Sequence, residues 1–332
     1  MPPYAYFVIC FLSFSASACA SWTMVVLPDT QGYMTAEHYP GFLAQTEWIV
    51  DNKNVRNIKM VLHEGDITNH NTPDEWRMAK NAIRVLDGHV PYTMVIGNHD
   101  IFPTPPFDRD QHLLNDYFAL TDNRLNSITT EKNAGDLANT YSRFTAPDGR
   151  KMLVLSLEYV PRPEVLAWAG EICDKFPDHT VVVLVHANVQ EGPAVNGEPT
   201  TNRHTLGNTL WNKLTGQHKN IEIVLNGHHP DGNDTDPHGP LTTARQSTLG
   251  KYGNVVHEIG FNSQQQPNGG NGYLRLLEFL DDGITVQVRT YSPTLDTWLT
   301  SARNEFPIKL SGLSPAVTDK APDDKAPNDK AP

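Results

Sequence analysis

Five short hydrophobic runs in this chain each break off into side chains able to bind a cation or carry a proton. Residues 24–27 lead into Pro28-Asp29-Thr30-Gln31, 60–62 into His63-Glu64-Gly65-Asp66, and 94–96 into Gly97-Asn98-His99-Asp100. Residues 181–185 lead into His186, and 221–225 into Asn226-Gly227-His228-His229-Pro230. Carboxylates, amide oxygens and imidazoles together suit divalent or trivalent transition metals better than calcium, which takes oxygen ligands. Any one of these groups alone reads more simply as a turn former or a solvated polar residue. The ordered set makes a metal centre the better reading. Gly-Asn-His-Asp directly after an apolar strand is its most specific part.

Groups so far apart in sequence need elements that bring them together. The β-branched and leucine content of the five runs, and of 152–157, suits buried strands. In open α/β sheets the carboxyl ends of such strands meet at one crevice, so the polar groups should meet there. Helical segments lie between the runs. After Asp66, Thr72 fits an N-cap, Pro73 the first helical position and Glu75 the return partner of a capping box. Trp76, Ala79, Ile83 and Leu86 then recur at helical spacing, and Gly88 fits the C-terminal turn. Two more helices are expected around 42–51 and 163–176. Beyond residue 253 the helical pattern stops. Residues 254–259, 273–279 and 284–290 read as antiparallel strands, with turns at 267–272 and 281–283. The expectation is one domain over 22–310, two packed sheets with helices outside.

The balance of 26 Lys and Arg against 38 Asp and Glu gives a net charge of −12, which argues against a nucleic-acid scaffold. It leaves room for a small phosphorylated substrate drawn in by a local metal. Of three cysteines, two fall in the first 20 residues and Cys173 stands alone, so no disulfide framework is expected. Residues 4–20 are apolar and uncharged and end in Ala18-Cys19-Ala20. They read as a secretory signal peptide over 1–20, with a secreted, extracellular product that keeps no stable membrane insertion after cleavage. From residue 311 the hydrophobic pattern is lost, and Asp-Lys-Ala-Pro recurs at 319–322, 324–327 and 329–332. Residues 311–332 therefore read as a disordered, extended tail. Asn233-Asp234-Thr235 is a glycosylation sequon. No Gly-x-Ser-x-Gly elbow and no Walker loop occurs, and the glycines of 268–272 lack the dinucleotide fingerprint.

Gly65-Asp66, Gly97-Asn98-His99-Asp100 and Gly227-His228, with His186 between the last two, resemble the blocks of the calcineurin-like metallophosphoesterases. The similarity is greater to a bacterial-type branch opening on Leu-Pro-Asp-Thr-Gln, here at 27–31. That branch also shares Leu155-Ser156-Leu157-Glu158-Tyr159 and the segments 267–277 and 289–295. The resemblance implies a four-layer α/β/β/α sandwich of two mixed sheets and two metal ions, manganese, iron, zinc or magnesium. Asp66 would bridge them. Asn98, His186 and His228 would complete one position, and Asp29 and Gln31 would serve the other. Where the family has two further histidines at that other position, this chain has Gln31 and Pro230. The result is a harder and weaker ligand set. His99 would serve the leaving oxygen, and Asp100 would accept its other ring N–H. The implied function is a secreted metal-dependent phosphoesterase that cleaves phosphomonoesters or phosphodiesters with a metal-bound hydroxide. Gln31 and Pro230 motivate an alternative: a non-catalytic relative that binds one metal or a phosphorylated ligand.

Overall fold

Residues 20–101, 108–195, 198–229, 234–236 and 239–312 are described by the computed structural model of this chain. The leader before Ala20, the repeats of the tail, Pro230 and Asn233 lie outside the described residues. The strands are β1 (Ala20–Leu27), β2 (Ile58–His63), β3 (Tyr92–Met94), β4 (Thr129–Asn133), β5 (Asp136–Thr145), β6 (Lys151–Leu157), β7 (Thr180–Val185), β8 (Val189–Val195) and β9 (Glu198–Arg203). They continue with β10 (Ile221–Asn226), β11 (Asp234–Asp236), β12 (Gly239–Leu241), β13 (Arg245–Leu249), β14 (Val255–Gly260), β15 (Leu274–Leu280), β16 (Thr285–Ser292), β17 (Thr297–Leu299) and β18 (Phe306–Lys309).

Two seven-stranded mixed sheets result. One runs β17-β16-β15-β1-β2-β3, with β18 also on β16; the other runs β13-β14-β10-β7-β6-β5-β4. β1, β2 and β3 are mutually parallel, as are β6, β7, β10 and β14. The direction of β14 corrects the antiparallel reading of 254–259. It pairs parallel with β10, from Ile223 opposite His257 to Asn226 opposite Gly260. Only its edge neighbour β13 is antiparallel. Hydrophobic pattern identifies a strand but not its direction. That direction depends on the return run β13, whose polar, exposed alternation does not stand out as a strand. β15 and β16 pair antiparallel, as expected.

Strands buried on both faces explain why the runs are apolar throughout. On β1, Trp22, Met24 and Val26 join a core between the sheets with Met60, Leu62, Val182, Leu184, Ile223 and Leu225. Val25 and Leu27 point the other way, into a core with Phe42, Ile49, Trp76, Ala79 and Ile83 from helices Tyr39–Asn52 and Pro73–Ile83. On the opposite outer face, Leu153, Leu155 and Val183 pack against Val165, Leu166, Ala169 and Ile172 of helix Pro163–Lys175. These are the four layers, α/β/β/α. Cys173 is buried in this outer core, and burial pushes its thiol up to about 12, which makes it a packing residue rather than a nucleophile. Among the described residues no helix is long and apolar enough to cross a membrane.

Helix Pro73–Ile83 begins as its sequence suggests, with the Thr72 hydroxyl accepting the Glu75 N–H at 3.4 Å. The expected capping box is only half formed. The Glu75 carboxylate takes the backbone N–H of His70 at 2.7 Å and its Nδ1 at 2.9 Å instead. Trp76 is fully buried, and its indole N–H donates to Asn71 Oδ1 at 2.8 Å. Trp76→Ala should therefore cost about 3–5 kcal/mol. Chemical denaturation of the variant beside the parent measures this, and a loss under 1 kcal/mol would contradict the packing described here.

Candidate metal centre

The carboxyl ends of β1, β2, β7 and β10, with the loop just past β3, form one rim where the two sheets abut. Asp66 leaves β2 with φ 45° and His228 leaves β10 with φ 69°. Such left-handed backbone is uncommon outside glycine and concentrates at functional sites. The packing here is close. A Cβ on Gly227 would lie 1.9 Å from Asp29 Oδ1, and one on Gly97 would lie 2.1 Å from Asp66 Oδ1, so neither position accepts a side chain.

His186 lies at the centre of the rim and is fully buried. Its Nδ1–H donates to the Glu64 carbonyl at 2.8 Å, which turns Nε2 towards the other groups. Nε2 is 3.1 Å from Asn98 Oδ1, 3.2 Å from Asp66 Oδ1 and 3.1 Å from His228 Nδ1. The donor atoms of Asp66, His186 and His228 all lie within 4.8 Å of one another. The Glu64 carbonyl fixes the tautomer, as partners of ligating histidines commonly do. Lone-pair oxygens face both ring nitrogens of His186, so without a cation both nitrogens carry protons. A metal would take the place of the Nε2 proton.

The electrostatics agree. Burial disfavours the charged form of His186, but Asp66 and Asp29 outweigh it and lift its pKa to about 10. Burial likewise raises Asp66, yet His186 and hydrogen bonds from His186 and His99 hold its carboxyl below the usual carboxylate range. Burial pushes Asp29 and Glu64 well above that range, with the charge of Asp66 adding to the shift of Asp29 and that of Asp29 to the shift of Glu64. Asp100 is pushed up to about 6 by burial and then by Asp66. Burial and the neighbouring His186 bring His228 down to about 2 and leave its imidazole neutral, a metal-ready form. Three buried carboxyls, those of Asp29, Glu64 and Asp66, thus act on one imidazolium, an acidic cage that a divalent cation would neutralise. The donor set fits such an ion.

A pH effect on the metal-free protein follows from the signs. His186 is raised, so its stabilisation is complete below about pH 6.5 and is lost as pH climbs towards 10. Asp100 is raised, so its ionisation destabilises the fold as pH rises through about 6. His228 and His63, brought down to about 2 and about 3 chiefly by burial, work the other way, because each stays neutral in the fold and costs stability as pH falls below 6.5. The chelated protein should therefore lose melting temperature on both sides of about pH 6.5, towards pH 5 and towards pH 9. A melting temperature that rises or falls steadily from pH 5 to pH 9 would refute this.

The remaining expected residues divide. Asp29 is buried beside the cluster, accepting the His228 backbone N–H at 3.0 Å and the Asn262 amide at 2.8 Å. The Gln31 side chain turns aside, and its Nε2 donates to Gln264 Oε1. Its Oε1 is left buried with no partner, an acceptor available to a cation. The loop 97–100 places His99 at the edge of the rim. The His99 backbone N–H donates to Asp66 Oδ1 at 2.9 Å, and its Nδ1–H donates to the Asn69 carbonyl at 2.9 Å.

The expected Asp100–His99 ring pair needs correction. Asp100 Oδ2 accepts the backbone N–H groups of Ile67 and Gly97 at 3.0 and 2.8 Å. Its Oδ1 accepts the Thr68 N–H at 2.7 Å and the Thr68 hydroxyl at 2.9 Å. Four donors already engage this buried carboxylate, and a backbone carbonyl orients His99. Asp100 therefore clamps the loop after β2 to the loop after β3 and so positions Asp66 and Asn98. His63 is structural too: its Nδ1 accepts the Gly65 N–H at 3.2 Å, and its Nε2–H meets the Thr30 hydroxyl at 3.0 Å. Glu158 is buried and bonded to Asn139 and Arg162.

Several contributors were not foreseen. Because β14 runs parallel to β10, its carboxyl end delivers Asn262 to Asp29 and Gln264 to Gln31. Arg275 is 1% exposed on β15 and offsets the buried Glu64 carboxyl. Tyr159 lies against His186 and His228, with ring centroids 5.7 and 5.6 Å away. An amide after an apolar strand is the available signal for Asn262, and only the parallel direction of β14 turns that end of the strand towards the rim.

Comparison with known proteins adds the following. Residues 23–232 match the model of the calcineurin-like phosphoesterase family. An uncharacterized protein of Bacillus subtilis (strain 168), YvnB, is 30% identical over 315 residues, which is 87% of this chain. The chain spans 22% of that relative's length. Among solved structures, purple acid phosphatase PPD1 from yellow lupin (Lupinus luteus) seeds is similar with a TM-score of 0.49 and 14% identity, over 87% of this chain and 54% of that one. GAP50, the anchor in the inner membrane complex of Plasmodium, is similar with a TM-score of 0.45 and 8% identity, over 87% and 88%.

Proposed function

The chain belongs to the calcineurin-like phosphoesterase family, and from that premise we propose that it is a secreted hydrolase of phosphomonoesters or phosphodiesters with Asp66 at the heart of its metal centre. The observation that carries this reading is the convergence of Asp66, Asn98 and His228 on His186 Nε2 at 3.1–3.2 Å. These four would hold one cation. Asp29, Asp66 and the unpartnered Gln31 oxygen would hold a second, more weakly, as a carboxylate and amide set suited to manganese, iron or magnesium.

Bound cations there would supply positive charge to the phosphoryl oxygens and acidify an attacking water. The protein's own groups do the rest. Asp66 takes the His99 backbone N–H and thereby holds the proton-carrying loop against the rim. The Asn69 carbonyl engages the His99 Nδ1–H, which leaves Nε2 to face the leaving oxygen; the imidazolium form would donate its Nε2 proton there and keep the Nδ1 proton. Asp100 keeps both loops in register through its four donors. Asn262 orients Asp29.

The test is metal analysis of the purified protein beside hydrolysis of aryl phosphomonoesters and diesters after manganese or iron supplementation. At least one metal per chain with turnover is expected. The turn of Gln31 towards Gln264 favours the second reading, a one-metal or phosphoryl-binding protein without catalysis. Less than one metal per chain and no turnover would select that reading.

A further inference from the structure

A groove of about 330 Å³ opens beside the rim, lined by Gln31, Thr35, Asn69, His70, Gln264 and Gln265. We propose that this groove receives the ester alcohol of the substrate, and that this alcohol is a neutral polyol such as a glycerol, sugar or nucleoside moiety. The inference rests on the phosphoesterase reading above and adds the substrate class to it.

Position comes first. Asn69 lines the groove and holds the His99 ring with its carbonyl. Gln31 lines the groove and follows Asp29 by two residues in the loop after β1. The groove therefore adjoins the loop after β1 and the residue that holds the His99 ring, next to where a departing alcohol would lie. The Gln31–Gln264 hydrogen bond ties two of its lining residues together.

Chemistry comes second. Side-chain amides offer both donors and acceptors, and a hydroxyl is itself both, so an amide-lined wall matches vicinal diols. A phosphate offers acceptors only and asks for cations. No lysine or arginine is among the lining residues, and the one carboxylate, Glu75, is committed to His70. A second phosphate would find no lysine or arginine among these residues to meet its charge. The volume lies at the small end of ligand clefts, roughly 300–1,000 Å³, and suits a group the size of a sugar.

The test uses non-hydrolysable phosphonates on the full, manganese-loaded chain, with binding measured by calorimetry. 3,4-Dihydroxybutylphosphonate should bind about tenfold tighter than butylphosphonate, the scale of one or two net hydrogen bonds. Gln265→Leu, at an exposed position, should shrink that ratio towards unity. Equal affinity of the two phosphonates in the parent protein would overturn the proposal, even if aryl phosphates are hydrolysed. So would tighter binding of an alkyl bisphosphonate than of the diol. A diol preference in a protein that hydrolyses no ester would uphold the groove and remove the hydrolytic reading instead.

Discussion

Asp66→Asn should lose most of its bound metal and at least about a thousandfold in kcat/KM, roughly 4 kcal/mol of transition-state stabilisation. Asp66 contacts both the imidazole cluster and the His99 loop. Its Oδ1 lies 3.2 Å from His186 Nε2 and accepts the His99 N–H at 2.9 Å. An asparagine of the same shape keeps an oxygen acceptor but removes the charge. The anionic partner of His186 is then gone, and a cation held there would lose its central carboxylate. The measurements are metal content by mass spectrometry and turnover of an aryl phosphate with added manganese. Full metal content with unchanged turnover would show that Asp66 is a structural turn residue and nothing more.

His99→Ala should give the second-largest effect, a fall in kcat of about 10²–10⁴-fold with metal content unchanged. The two readouts separate the roles. The His99 ring is held by the Asn69 carbonyl and is not among the atoms gathered around His186 Nε2, so removing it leaves the cage complete. What is lost is the proton for the leaving oxygen. The loss should therefore be larger for alkyl esters, whose leaving groups need protonation, than for nitrophenyl esters, which leave unaided. If metal is lost along with activity, His99 is a ligand and its assigned role is wrong. Equal losses on both ester types would point to positioning instead of proton transfer.

Much of the site was legible in the sequence because its signal is local. A run such as 94–96 followed by Gly97-Asn98-His99-Asp100 states, within seven residues, that a strand ends and what it carries. Strands β1, β2, β7 and β10 say the same with Asp29, Asp66, His186 and His228. Parallel strands that end at one level must place these groups together. The four layers were legible for a related reason. Strands apolar on both faces need covers on both faces, and helices such as Pro73–Ile83, begun by Thr72, provide them.

What the sequence determined by itself, then, was which side chains arrive at the rim and from which strands. The tertiary structure alone decided how they pair. Asp100 follows His99 directly, yet its carboxylate turns back to three backbone N–H groups and the Thr68 hydroxyl, because a loop some thirty residues upstream presents donors nearer than the ring. Gln31 meets Gln264, and Asp29 meets Asn262, only because β14 lies parallel to β10. The choice of partner among several donors and acceptors depends on distances of a few tenths of an ångström across elements far apart in the chain. Residue spacing along one strand carries no record of those distances.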